Sequence, residues 1–254
     1  MVSSFSYRLA GIDIAWRAGN GSAMAFGELK HRVLSVDKVV HQHFSAAAMG
    51  QLLLAEEVHG VAIDGPTVIP NQTGMRHCER AVISAFGRRG VACYPANLNL
   101  WADCQSLQVS HWLQHHGYVH AGSQPAVVTQ QPWQIECYPH AALLELFQLP
   151  YRLAYKKGAV AARVSGQQQL AQLLLSLQQR QPSGLQLEFA PILRQQMLDI
   201  DYIGGLRGTG LKANEDCLDA LVCLVIAAFH QAQQSQVFGT DEQGYIVVPR
   251  QPPK

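Results

Sequence analysis

The sequence predicts an α/β fold that opens on an antiparallel three-strand meander, and three observations carry that expectation. Residues 8–16 alternate two sets, Leu9, Gly11, Asp13 and Ala15 against Ala10, Ile12, Ile14 and Trp16, and only Asp13 is neither small nor apolar. That is the pattern of a strand buried on both faces. The cluster Ala18-Gly19-Asn20-Gly21 then reads as a turn, and residues 22–28 and 32–40 as two further strands with a second turn near Lys30-His31. Late in the chain, Leu218, Leu221, Val222 and Val225 recur at helical spacing within residues 215–234, which predicts the strongest helix of the molecule.

The elements between follow in order. Ser45 suits the cap of a helix running to about residue 58, with Ala48, Met49, Leu52 and Leu53 on one side, and Gly60 ends it before the short strand Val61-Ala62-Ile63. Asp64 stands at that strand's C-terminal end. Residues 65–132, broken by Pro66, Pro70, Pro95 and Pro125, read as an elaborated crossover with helices near 76–86 and 107–116. A strand over 133–138 carries Glu136, and Pro139 begins a helix to about 147, since proline suits a first helical turn. Residues 167–181 form a leucine and glutamine helix with a solvated face, stopped by Pro182-Ser183-Gly184. Asn214 is expected to cap the long helix, and a turn at Gly244 leads into a strand over 245–248. Cys93-Tyr94-Pro95 and Cys137-Tyr138-Pro139 share no wider match, so no repeat is inferred. The organisation is one domain over 1–254 with an insertion at about 65–130.

Composition narrows the function classes. Of 254 residues, 15 % are charged and 48 % hydrophobic, which suits a folded globule and excludes disorder as the main state. Nineteen Lys plus Arg against eighteen Asp plus Glu leave +1, so no whole-molecule field gathers nucleic acid or an anionic membrane, and any nucleic-acid role rests on a local site. The six cysteines contain no Cys-x-x-Cys pair and read as reduced thiols. Arg8 and Asp13 interrupt the first apolar stretch, unlike an export signal, and the longest apolar run, 220–229, is far short of the ~18 residues of a membrane span. A cytoplasmic protein with no membrane partner is expected.

Acids stand in four places where apolar surroundings normally exclude them: Asp13, Asp64, Glu136, and the pair Asp216 and Asp219. A buried carboxylate must be paired, hydrogen-bonded or bound to a metal. Each alone has a structural explanation, a cap or a loop tie, and Asp216 also suits a helix N-terminus. Asp216 and Asp219, three apart, project from one side of the helix, with Ala220 and Cys223 small enough for close approach to a sheet. Their order matters more than any one of them. If the Asp64 strand lies beside the Asp13 strand, the acids converge into a hard-oxygen site of the kind Mg²⁺ or Mn²⁺ prefers, and two such ions can clamp both the attacking and the leaving oxygen of a phosphodiester.

Gly11-Ile12-Asp13 with Ala15-Trp16, Ile63-Asp64-Gly65-Pro66, Arg76-His77-Cys78-Glu79, Glu136-Cys137-Tyr138-Pro139, Tyr155-Lys156 and Asp216-Cys217-Leu218-Asp219-Ala220 together resemble an uncharacterised family of predicted ribonuclease H-like nucleases related to RuvC-type resolvases. The likeness spans nearly the whole chain in the right order. It implies a mixed five-stranded sheet, an antiparallel meander then parallel strands, flanked by helices. It also implies that Asp13, Asp64, Asp216 and Asp219 are metal ligands. Asp64 departs from the longer glutamate usual in resolvases, which changes its reach.

Arg76, Lys156, Lys157 and Arg163 are candidates for phosphate contacts, against ordinary surface charge. His41-x-His43 and His115-His116 lack partners at ligand spacing and read as surface histidines. The run Gly204-Gly205-Leu206-Arg207-Gly208-Thr209-Gly210-Leu211-Lys212 is not a P-loop and reads as a flexible loop or a phosphate-holding one. The expected function is metal-dependent phosphodiester hydrolysis of nucleic acid with Mg²⁺ or Mn²⁺. Asp13, Asp64, Glu136, Asp216 and Asp219 would carry it, with Glu136 favoured for support. The rivals are an actin-like phosphotransferase, disfavoured by the bulky Ile14-Ala15-Trp16-Arg17 after Asp13, and a non-catalytic binding protein. The oligomeric state is left open, a dimer included.

Overall fold

The computed structural model describes residues 6–17, 19–122, 131–179 and 184–250. Ala18, Pro125, Gln181 and the Pro182-Ser183 stop lie outside the described residues.

Strand β1 (Ser6–Asp13) pairs antiparallel with β2 (Ser22–Lys30), which pairs antiparallel with β3 (Val33–Gln42) across a bulge at Phe26/Gly27. On its other side β1 takes β4 (Gly60–Asp64) in parallel, and β4 takes β6 (Trp133–Glu136) in parallel. Two short strands extend the edges: β5 (Val119–His120) beside β6, and β7 (Gln186–Phe189) parallel to β3. The result is a seven-stranded mixed sheet, not the five strands expected, in the order β5-β6-β4-β1-β2-β3-β7. The added strands are two and four residues long, too short to print an alternation. A separate hairpin, β8 (Ser235–Thr240) and β9 (Gly244–Pro249), touches the sheet through a bridge from Cys137 to Val247.

Helices cover both faces. On one lie α1 (Ala46–Ala55) and α4 (Gln105–His115), packed on Ala10, Ile12, Val61 and Ile63. Ser45 caps α1, its hydroxyl accepting from the Ala48 amide. On the other lie α5 (Pro139–Leu146), α6 (Val160–Ser176) and α9 (Gly208–Gln231), around a core that includes Leu9, Ala62 and Ile135. Helix α2 (His77–Phe86) packs on the hairpin as a third cluster, α3 (Leu98–Trp101) leads toward α4, and α7 (Pro191–Leu193) and α8 (Ile200–Gly205) precede α9. Among the described residues, no helix is long and apolar enough to cross a membrane.

Two expectations are corrected near α9. The glycine-rich stretch is no loop: residues 200–205 form α8, and Gly208 opens α9. Asn214 is not a cap but a buried interior residue, its amide donating to Gln167 Oε1 at 3.0 Å while Gln167 Nε2 donates to the Leu211 carbonyl at 3.0 Å. Those bonds tie the first turns of α9 to α6.

Candidate active site

Strand parity builds the site. In β1, Ala10 and Ile12, with Ile14 just beyond, face α1 and α4 while Leu9 faces α9, so alternation turns Gly11 and Asp13 toward α9. The same parity in β4 turns Ala62 and Asp64 that way, and the parallel register sets Asp13 opposite Asp64. Helix α9 reaches them because Gly11 has no side chain: a Cβ there would lie 2.1 Å from the Leu224 amide nitrogen and 2.3 Å from the Ala220 carbonyl. Backbone contact at that point brings the neighbouring turns of α9, with Asp216 and Asp219, alongside the two strand ends. Asp216 and Asp219 are buried, while Asp13 and Asp64 open partly to a cleft of about 600 Å³.

A second close approach delivers the cation. On α6, a Cβ at Gly166 would lie 2.1 Å from the Ala154 carbonyl oxygen and 2.7 Å from Tyr155 Cα, so the segment between α5 and α6 lies flat on the helix. Tyr155 then donates its hydroxyl to Asp219 Oδ1 at 2.6 Å, and Lys156 Nζ lies 2.7 Å from Asp219 Oδ2 and 3.9 Å from Asp64 Oδ2. Asp216 is held by Lys212 Nζ at 2.7 Å and by His41 Nε2 at 3.1 Å. Lys212 also reaches Glu215 at 2.7 Å, and Arg163 donates to Glu215 at 3.3 Å.

The electrostatics follow from crowding. Burial pushes the Asp13 carboxyl well above the usual range, and Asp219, Asp64 and Asp216 add to the rise against the pull of Lys156. Asp64 is pushed up to about 7, by burial first and by Asp219 and Glu136 after it, with Lys156 again opposing. Burial works against the Lys156 charge, yet Asp219, Tyr155, Asp64 and Asp13 outweigh it and raise its pKa well above normal. Crowding thus holds Asp13 and Asp64 toward their protonated forms while the Lys156 and Lys212 ammonium groups stay charged.

Glu136 and Arg76 lie on the other face of the sheet from the aspartates, although the Glu136 charge still acts on Asp64. Trp133 and Ile135 face α9, so Glu136 points to the opposite face; its register partner is Ile63, not Asp64. There Arg76 Nη2 and Nη1 donate to the Glu136 carboxylate at 2.6 and 2.8 Å, and the Thr67 amide donates to it at 2.9 Å. Arg76 Nε donates to Glu79 at 2.9 Å and Nη1 to the Val68 carbonyl at 2.8 Å. The Arg76 guanidinium is buried and its donors are engaged, which corrects the expectation of a phosphate contact. Arg163 is likewise tied to Glu215. Of the candidate cations, Lys156 lines the cleft, and the exposed Lys157 does not.

Four participants were missed. Lys212 lies four residues before Asp216, a spacing readable from the sequence. His41, read as a surface residue, lies on one row across the sheet, because Asp13 pairs with Ala23 and Ala23 with His41. Tyr155 precedes the lysine that was singled out. His140 packs 5.3 Å from Tyr155, its pKa lowered to about 4 by burial and then by Lys156, so it stays neutral.

The chain matches, over residues 11–243, the model of the family described as Protein of unknown function (DUF429). It belongs to that family. No curated protein matches it. The span matched to DUF429 takes in all four aspartates, Lys156 and Lys212 and stops short of β9, so the family model covers the whole acid cluster.

Proposed function

We propose that this DUF429 protein is a metal-dependent phosphodiesterase acting on nucleic acid, built on a ribonuclease H-like fold. The observation that carries the reading is Asp13 opposite Asp64 on adjacent central strands, with Asp219 of α9 joined to Asp64 through the Lys156 ammonium. The fold reading is supported by the run β6-β4-β1-β2-β3, an antiparallel meander continued by parallel strands.

Mg²⁺ and Mn²⁺ take hard oxygen ligands, and this end of the sheet gathers the carboxyl groups of Asp13, Asp64, Asp216 and Asp219. Among the described residues, no three His, Cys, Asp or Glu side chains close around one point as they stand; the Lys156 ammonium holds the position between Asp64 and Asp219. The donor chemistry fits a hard divalent ion, at the place this ammonium takes. Asp13, Asp64 and Asp219 would hold it, with Asp216 beside them. Bound there, such an ion supplies Lewis-acid charge to a phosphate oxygen and a water of lowered pKa. Lys212 and His41 orient the Asp216 carboxylate, and Tyr155 orients Asp219. Trp16, on the cleft wall, stacks edge-on to Trp101 at 4.3 Å, and the Arg17 guanidinium lies 5.8 Å from the Trp101 ring. An aromatic step with a cation beside an acid site suits an unpaired base next to the scissile phosphate.

The test is cleavage of single-stranded, duplex, hybrid and branched substrates with Mn²⁺, with Mg²⁺ and with chelator. Metal-dependent cleavage reduced to background by Asp13→Asn, with the fold intact by circular dichroism, is the expected result. Absence of cleavage on every substrate, together with absence of Mn²⁺ binding, would remove the reading.

A further inference from the structure

We propose that Lys156 is the resident counter-cation of the acid cluster, and that a divalent ion enters by displacing its ammonium into the cleft. This rests on the metal-dependent reading above. Lys156 Nζ is 2.7 Å from Asp219 Oδ2 and 3.9 Å from Asp64 Oδ2, and it lies 5.6 Å from the centroid of the Tyr155 ring. Divalent ions hold carboxylate oxygens at ~2.0–2.6 Å, so an ion bound to Asp219 and Asp64 needs the space the ammonium fills. Two cations at that point also repel each other in surroundings poor in water.

The geometry supplies an exit. Lys156 belongs to the connection between α5 and α6, whose residues Arg152 and Lys157 are exposed, and its own side chain lines the cleft. The backbone is pinned at Tyr155 by the Gly166 contact, while the Lys156 side chain, 26 % exposed, ends a flexible four-carbon stem. Displaced, the ammonium remains in the cleft beside the acids, where a substrate phosphate needs a point charge. One side chain thus serves two states: it neutralises the acids when no metal is bound, and it contacts phosphate when one is.

Amine acetylation read by mass spectrometry tests the displacement on the unmodified protein. The labelling rate of Lys156 is compared in chelator and in saturating Mn²⁺, with Lys157 as an internal reference. Calorimetric Mn²⁺ titrations of wild type, Lys156→Gln and Lys156→Met accompany it. Displacement predicts that Mn²⁺ speeds labelling of Lys156 relative to Lys157, and that both variants bind Mn²⁺ about tenfold or more tightly than wild type. If wild type binds Mn²⁺ while Lys156 labelling stays constant or slows, the displacement is wrong and the metal reading survives. If neither wild type nor variants bind Mn²⁺, both fall. Labelling of wild type decides the question even if a variant fails to fold.

Discussion

Gly11 lies so close to Ala220 that a methyl group on it would stand 2.3 Å from the Ala220 carbonyl oxygen. This contact sets the spacing between β1 and α9 and hence between Asp13 and the helix acids. Gly11→Ala should destabilise the protein by roughly 1–3 kcal/mol or more, as overpacking of a well-filled core does. Urea melts of the two proteins measure it. An unchanged midpoint would mean that α9 can slide without cost.

A carboxyl whose pKa is raised on folding binds more protons folded than unfolded, so its ionisation weakens the fold as pH climbs between the two values. For Asp64 the window runs from its ordinary 3.8 to about 7. In chelator, wild type should therefore lose stability relative to Asp64→Asn as pH rises from 4 to 8, by on the order of 2–4 kcal/mol. Parallel melting curves of the two proteins over that range would refute the assignment.

Arg76→Met leaves the buried Glu136 and Glu79 carboxylates without their cation, at a cost of roughly 3–5 kcal/mol, whereas Glu136→Gln leaves Arg76 still paired with Glu79 and costs less. Arg76→Met should lower the melting temperature more than Glu136→Gln, and the double variant Arg76→Met/Glu136→Leu should recover only part of the loss, because Glu79 stays without its guanidinium. Because Glu136 faces away from Asp64, Mn²⁺ affinity by calorimetry should change little in Glu136→Gln. A large loss of affinity would return Glu136 to the acid cluster.

Trp16→Ala should weaken binding of a single-stranded oligonucleotide by about 1–3 kcal/mol, the range of one base stacked on an aromatic ring. Intrinsic tryptophan fluorescence, quenched by the oligonucleotide in wild type, is the measure. It can be read in chelator, where no cleavage interferes. Equal affinity and equal quenching in the variant would exclude the stacking role.

Alternation made the face of Asp13 legible: Leu9 and Gly11 share its parity, and the structure turns that set toward α9. The same rule applied to β6 would have set Glu136 apart, since Trp133 and Ile135 are the bulky apolar residues of that strand. Motif order drew it to the aspartates instead. Lys212 was readable at helical spacing, but only once α9 is known to begin at Gly208 and not after Asn214. His41 was not readable, because its link to Asp13 runs through pairing with Ala23, a register that local sequence leaves open. The delivery of Lys156 depends on a backbone contact at Gly166, and nothing in the flanking sequence distinguishes that glycine from one in a solvated helix.

The contact between α6 and the Ala154-Tyr155 backbone has a consequence in time. During synthesis, β1 and β4 are complete long before the ribosome reaches α6, so Asp13 and Asp64 exist as strand ends with neither Lys156 held in place nor Asp219 yet made. Their mutual repulsion is then relieved only by protons or by water. In the finished fold the same acids lie beside the ammonium that α6 fixes and under the helix that closes over Gly11. The emerging chain carries an unfinished acid cluster, and the last long helix to be translated completes both it and the core.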